Sequence, residues 1–397
     1  MLADDLLNKG LQSFYEEDQD AIKQEFFNAV KETAKWQYSK CALYHQFSKG
    51  KNFDPNRNLN SIEDLKDIPY LTTANFKGQS GRPKELLTVP EDDIYFWGLS
   101  SGTSGDPSTV GRDRLNVKRV YTEMQYVMEM LGLIKDGQPM YDWILLFMPP
   151  LPFYTLDDEG PITQSQFMYF YSLSIPTPNE ERVYALKRTE GEVVSAAERF
   201  TFDPETTYGF LNSIPPQKGK GWIGGSVPLM YQTLTGYYQN TGQGFTVDPS
   251  TIVSTGGGWK SFSGEAVNPE QFREGVSSVL SIPKENIRDM YQFTETDGVF
   301  EECEHFHKHV FPWIDVIVRD VETLEPVEVG EKGLINVINP LAHSYAGVSV
   351  LQDDIVRIVM DDGCPCGRRG KVIEILGRAE GAEAKGCGAQ IAEMTDT

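Results

Sequence analysis

The sequence predicts an α/β protein, and three observations carry that expectation. An apolar run, Ile94-Tyr95-Phe96-Trp97, leads into a glycine–hydroxyl loop, Ser100 to Ser108, and then into an amphipathic stretch. Trp143-Ile144-Leu145-Leu146-Phe147-Met148 is apolar without a break, the mark of a strand buried on both faces of a parallel sheet. From residue 310 onward, short β-branched runs alternate with Gly- and Asp-containing turns.

Bulk properties narrow the function. With 397 residues, 40% of them hydrophobic, the chain can bury a large core and form two or three structural units. Its net charge of −22, from 36 basic and 58 acidic residues, disfavours nucleic acid and anionic membranes as partners. No stretch has the length and apolarity of a membrane span, and the start, Met1-Leu2-Ala3-Asp4-Asp5, does not read as a secretory signal. Five cysteines in a chain of this length do not make a disulfide scaffold; they fit a reduced, cytoplasmic compartment.

Taken in order, residues 1 to about 60 read as mostly helical. The clearest segment is Ile22 to Trp36, where Ile22, Phe26, Phe27, Val30 and Ala34 recur at helical spacing. Asp113 is placed to cap a helix from Arg114 to about Leu131 that Gly132 ends. Strand, loop, helix and strand form an α/β unit with the loop at a strand's C-terminal end, where open α/β sheets bind ligands. Pro149 to Pro178 carries Phe153, Tyr154, Phe167, Tyr169, Phe170 and Tyr171 among prolines, and reads either as a pocket wall or as ordinary packing.

Several stretches suggest chemistry. Glycines in Ser100–Ser108 let backbone N–H groups wrap an anion, although the Gly-Lys-Ser/Thr ending of a Walker loop is missing; the plain alternative is a polar turn. Gly256-Gly257-Gly258-Trp259-Lys260 offers a close-approach turn, an indole to cover a purine and a cation for an anion. The turn at Thr294-Glu295 ends a short strand and offers a carboxylate of the kind that holds magnesium beside phosphate. Asp354 and Gly377-Arg378 are polar groups beside apolar strand residues. Cys303, His305, His307 and His309 alternate, so a strand here would present all four to one face. Together with Cys364-Pro365-Cys366 they suit tetrahedral zinc; a solvated histidine face is the alternative.

Ser100–Ser108, Tyr291–Glu295, Asp354 and Gly377-Arg378, in this order, resemble the core motifs of the adenylate-forming superfamily of acyl-CoA synthetases and related ligases. Gly257–Lys260, the Cys364-Pro365-Cys366-Gly367-Arg368 knuckle and the length point to the phenylacetate–CoA ligase branch, nearest the LuxE-like acyl-protein synthetases. The resemblance implies ATP and Mg²⁺ as cofactors and a division of roles. Ser100, Ser101, Gly102, Thr103, Ser104 and Gly105 would cradle the β- and γ-phosphates, Thr294 would face the α-phosphate and Glu295 would bind Mg²⁺. Asp354 would hold the ribose, with Arg378 near the ribose or phosphate. Gly256, Gly257, Gly258 and Trp259 would flank the adenine and the acyl carboxylate, with Tyr291 and Lys260 completing the nucleotide site. Structural zinc would be held by Cys303, His309, Cys364 and Cys366, with His305 or His307 as substitutes for His309. Asp106 stands where many relatives carry Lys, and Arg112 or Arg114 is a candidate to compensate.

The fold implied is the large N-terminal domain of adenylate-forming enzymes, layered α/β sheets plus a small β-barrel-like part, with the C-terminal lid domain absent. Residues 1–376 would form that domain, its zinc-bearing part at about 300–376, and 377–397 a hinge remnant and tail. Cys387, between Gly386 and Gly388, is the expected acyl acceptor. The function implied is ATP-dependent activation of a carboxylic acid, followed by acyl transfer to the protein's own cysteine and on to a partner such as an acyl reductase or a carrier protein. The alternatives are a carboxylate–CoA ligase or free-standing adenylating domain, and a non-catalytic nucleotide- or acyl-binding homologue. The acid is left open between fatty, aryl and polyketide-like.

Overall fold

The computed structural model describes residues 1–100, 106–150, 162–189, 200–258 and 267–379. Its backbone is a 12-stranded sheet. Along one path run Asp315–Arg319, Lys332–Ile338, Ser349–Met360, Val372–Arg378, Lys308–Val310, Val299–Glu302, Ile287–Gln292, Ile252–Gly256, Gly221–Ser226, Trp143–Phe147 and Val183–Tyr184, with Leu71–Thr72 added beside Ser349–Met360.

The half from Ile287–Gln292 to Val183–Tyr184 is parallel. Trp143–Phe147, Gly221–Ser226 and Ile252–Gly256 are buried on both faces, and alternation divides each strand between two cores. Leu145, Phe147, Ile223, Val253 and Ile287 meet Leu211, Met230, Leu234, Phe272 and Val276 from the helices Pro204–Ser213, Val227–Thr241 and Pro269–Leu280. Ile144, Leu146 and Trp222 point the other way, into a core shared with Met124 and Val127 of Arg114–Met130 and with Phe170 and Tyr171 of Gln166–Leu173.

Leu71–Thr72 runs parallel to Ser349–Met360, the other remaining strands are antiparallel to their neighbours, and here the sequence expectation needs correction. The β-rich part is an open continuation of the large sheet, not the small barrel-like part that was expected. Lys308–Val310 pairs with both Val299–Glu302 and Val372–Arg378, so the ladder runs on from the parallel half, and no pairing among the described residues closes these strands on themselves. Gly377 and Arg378 are the last residues of a strand and pair with Ile355 and Asp354.

Phe96–Leu99 lies in a different sheet from Trp143–Phe147. It forms three strands with Thr109–Arg112 and Ile162–Ser165. The glycine–hydroxyl loop is therefore a hairpin connection, Leu99 facing Thr109, rather than a strand-to-helix turn. Short strands at 109–112 carry too little periodicity to be seen in the sequence.

The long helix Gln19–Lys40, capped by Asp18, extends beyond the periodic stretch at both ends. Its polar residues grip a distant loop. Thr33 Oγ1 donates to Pro340 O at 2.9 Å, Trp36 Nε1 to His343 O at 3.1 Å, and Gln37 Nε2 to Ala342 O at 2.8 Å. In return, Val348 N donates to Gln37 Oε1 at 3.0 Å.

Candidate active site

Two distant segments of the chain meet at the neck of the glycine–hydroxyl loop. Ser100 N donates to Ser108 O at 3.0 Å, and Ser108 N returns a bond to Ser100 Oγ at 2.9 Å, so the two residues close the loop at its base. Ser108 Oγ then donates to Glu295 Oε1. Ser108 and Glu295 are 1% and 4% exposed, so the loop base and the carboxylate turn share a buried contact across 187 residues of sequence.

The turn after Ile287–Gln292 is held from behind. Arg112 Nη2 donates to Thr294 O at 2.9 Å, and its Nε donates to Asp297 Oδ1 at 2.8 Å. Asn116 Nδ2 donates to Asp297 Oδ2, and Asn339 Nδ2 to Thr296 Oγ1 at 3.1 Å. Arg112 and Asp297 are both fully buried. Gly98 makes this possible: a Cβ there would lie 2.8 Å from Arg112 Nη1 and 2.8 Å from Gln166 Oε1. Arg112 is thus committed to the turn, and Arg114 stacks over the Tyr95 ring at 4.2 Å. Neither is placed as the compensating phosphate cation that the sequence suggested.

Asp106 has a structural task instead. Its carboxylate accepts from Gln79 N at 2.8 Å, Ser80 N at 2.9 Å and Ser80 Oγ at 2.7 Å, while Gly78 N donates to Pro107 O at 3.0 Å. The Ser80 hydroxyl and these backbone donors hold the carboxyl below its ordinary value. An anion here pins the loop to the 78–80 turn.

Tyr291 donates its hydroxyl to Asp354 Oδ2 at 2.6 Å, and Asp354 pairs with Arg378 across the strands. Burial, with Asp354 adding to it, pushes the Tyr291 hydroxyl well above its usual range, so it stays a donor. Gly256 ends its strand, and Gly257 and Gly258 take φ of 85° and 63°, a conformation that glycine adopts without strain. Two amide atoms near the turn are buried without a partner: Gln292 Nε2 and Gln166 Oε1. Ser101, Gly102, Thr103, Ser104, Gly105, Trp259, Lys260 and Cys387 lie outside the described residues, as do Phe153 and Tyr154 and the side chain of Phe167. Tyr169, Phe170 and Tyr171 are buried, with Tyr169 stacked on Phe96 at 4.4 Å. A cleft of about 860 Å³ is lined by Trp36, Lys40, Asp113, Arg114 and His343 among others, and of the residues expected at the site only Arg114, the candidate compensating cation, borders it.

The cysteine–histidine group is a second centre. Residues 303–307 form a turn, not the expected strand: Phe306 N donates to Cys303 O at 2.9 Å, and Phe306 adopts a φ of 62°. Strand alternation therefore does not assemble the group; the hairpin does. Ligand atoms of Cys303, His309, Cys364 and Cys366 lie within 4.8 Å of one another, and His307 Nδ1 is 3.2 Å from Cys364 Sγ. Burial, then Arg368, pushes His309 down to about 4, which keeps its imidazole neutral. Burial raises Cys303 and Cys364; at Cys366 burial is outweighed by hydrogen bonds from the Arg368 backbone, Cys364 and the Arg368 side chain and by the Arg368 charge, which hold the thiol down. Three thiols and a neutral imidazole at these separations fit a tetrahedral metal ion.

Comparison with known proteins follows the same lines. A model of the family described as "Acyl-protein synthetase, LuxE" matches residues 3–141 and 209–395. The long-chain-fatty-acid–luciferin-component ligase of Vibrio harveyi is 29% identical over 82% of this chain and 78% of its own length. The enzyme of the same description from Aliivibrio fischeri is 28% identical over 88% of this chain and 85% of its own. Among solved structures, 2-hydroxyisobutyryl-CoA ligase in complex with 2-HIB-AMP shares the fold at a TM-score of 0.62 and 13% identity, over 90% of this chain and 67% of that one.

The family match corrects the expected fold class. It runs to residue 395, so the family's sequence unit extends through the C-terminal stretch. Both its N- and C-terminal portions are represented, and the expectation of an N-terminal domain whose lid is absent is overturned.

Proposed function

The chain belongs to the acyl-protein synthetase (LuxE) family, and from that premise we propose how its residues divide the work. It is an ATP-dependent ligase that activates a carboxylic acid as its acyl-adenylate. In the proposed division, Ser100 to Gly105 receive the β- and γ-phosphates, Thr294 faces the α-phosphate, and Tyr291, Asp354 and Arg378 hold the ribose. Gly256 to Lys260 flank adenine and acyl carboxylate. Glu295, a buried carboxylate against the hydroxyl-rich loop base, has the right chemistry for Mg²⁺, which when bound offsets charge on the phosphates. Preorganised backbone N–H groups do the same for the departing pyrophosphate.

The observation that carries this reading is the Ser108–Glu295 contact, which joins a phosphate-type loop to a metal-type carboxylate. The names of the relatives support a long-chain fatty acid as substrate. Cys387, flanked by glycines and two residues after Lys385, is the proposed acyl acceptor, and an acyl reductase the proposed recipient. Zinc is the proposed occupant of Cys303, His309, Cys364 and Cys366, where it would fix the hairpin to the 364–366 knuckle.

Intact-mass spectrometry after incubation with MgATP and a panel of carboxylates tests the reading. The expected result is a mass increase equal to one acyl group, lost with hydroxylamine and absent in Cys387→Ser, which keeps ATP–pyrophosphate exchange. Undiminished labelling of Cys387→Ser removes Cys387 from the scheme; no exchange with any acid removes the adenylation itself.

A further inference from the structure

Gln292 ends the strand Ile287–Gln292, two residues before Thr294. Its Nε2 is buried and donates to nothing. An amide N–H withdrawn from water and left unpaired is unfavourable, and folded proteins rarely keep one without a use. The surrounding turn is not loosely bonded. Thr294 O is held by Arg112, Glu295 by Ser108, Thr296 Oγ1 by Asn339, and Asp297 by Arg112 and Asn116. Against that background the unmet Gln292 donor, at the end of the strand that leads into the turn, points to a ligand.

Alternation says which ligand. Gln292 shares a face with Met290, whose register partner is Gly256, while Tyr291 takes the opposite face and is bound to Asp354. The ribose-side contacts therefore lie across the strand from Gln292, and the acid is left for the Gln292 face. Gln166 Oε1, whose own Nε2 is bonded to Thr296 O, is an acceptor and repels a carboxylate, whereas Gln292 Nε2 is a donor on the strand that leads into Thr294.

We propose that Gln292 reads the carboxyl group of the acid substrate, its Nε2–H bonding the oxygen that stays behind as the carbonyl of the acyl-adenylate. This rests on the adenylation reading above. One carboxylate oxygen attacks the α-phosphorus and forms the new P–O bond. The bond to pyrophosphate breaks with its electron pair on pyrophosphate. The second oxygen keeps its hydrogen bond throughout, and no proton moves. A neutral amide suits this task, because it fixes which oxygen attacks without the charge that would blunt the nucleophile.

The test is Gln292→Met, similar in length and lacking the donor, with Gln292→Glu as a near-isosteric second variant. The probes are AMP, a hexadecanoyl sulfamoyl-adenosine that keeps the acyl carbonyl, and ATP–pyrophosphate exchange with hexadecanoate. We expect both variants to bind the acyl sulfamate at least tenfold more weakly and AMP within twofold of wild type, and the KM for hexadecanoate to rise at least tenfold with the KM for MgATP unchanged. The ligand-free melting temperature of Gln292→Met should equal or exceed that of wild type, since an unmet donor has gone; a purely structural glutamine would give a lower one. Unchanged acyl-sulfamate affinity, or an equal loss for AMP, overturns the proposal alone. Wild-type protein that neither binds the acyl sulfamate nor exchanges pyrophosphate overturns the adenylation reading and this proposal with it.

Discussion

Replacing Arg112 by Met separates structural from phosphate-binding cations. Arg112 and Asp297 are both at 0% exposure and meet at 2.8 Å. Unit charges about 4 Å apart attract by about 4 kcal/mol at an effective dielectric near 20. Removing the guanidinium leaves a buried carboxylate with no counter-charge and Asn116 as a donor, and the expected loss of stability is about 3–5 kcal/mol. Asp297→Asn should cost a similar amount by stranding the guanidinium. The double variant strands neither charge, so it should be more stable than the sum of the single losses requires, by about 3 kcal/mol. Urea unfolding followed through the six tryptophans measures all four proteins. Pyrophosphate exchange should fall in each single variant, because the Thr294 carbonyl loses its anchor or its alignment. Single losses that add to within about 0.5 kcal/mol would refute the pair as a unit.

Three further outcomes follow. Asp106→Asn should raise the KM for MgATP several-fold and leave the KM for the acid unchanged. Since the folded carboxyl sits below its ordinary value of 3.8, its contribution is complete above that value and lost only as pH falls through the lower folded one, so the ratio of wild type to variant should be flat from about pH 5 to 9. Glu123 is fully buried and burial holds it protonated well above the usual carboxylate range, with Trp313 Nε1 at 2.7 Å and Val299 N at 3.2 Å both donating to Oε1. Its stabilisation is complete below 4.5 and is lost as pH rises through the folded value, so Glu123→Gln, which keeps that acceptor, should remove this pH slope from the urea midpoint. Purified protein should carry one zinc by elemental analysis, His309→Ala or Cys364→Ser should carry almost none, and chelation should lower the melting temperature; a metal-free protein of equal stability would remove the metal centre.

Regular periodicity was legible and non-local pairing was not. The helix Arg114–Met130 and the strand Trp143–Phe147 announce themselves through apolar spacing, and the parallel half of the sheet follows. The order of the glycine–hydroxyl loop, Tyr291, Glu295 and Asp354 pointed to a shared site, and Ser108–Glu295 and Tyr291–Asp354 do bring parts of it together. What stayed hidden depends on partners far along the chain. Asp106 reads as a misplaced anion until Gln79 and Ser80 appear beside it. Arg112 reads as a free cation until Asp297 covers it. The turn at 303–307 escaped because Phe306 supplies its positive φ, where a glycine would have signalled it.

The grip of Gln19–Lys40 on residues 340–348 sets a schedule for biosynthesis. Thr33 and its acceptor, Pro340, are 307 residues apart. At about 5–20 residues per second, roughly 15–60 s separate the emergence of the helix from that of its partner. During that interval Thr33, Trp36 and Gln37 lack the carbonyl groups of Pro340, His343 and Ala342 that they bond in the finished protein. The nascent chain should therefore engage holdase chaperones through this helix, and fragments released before residue 348 should aggregate rather than fold.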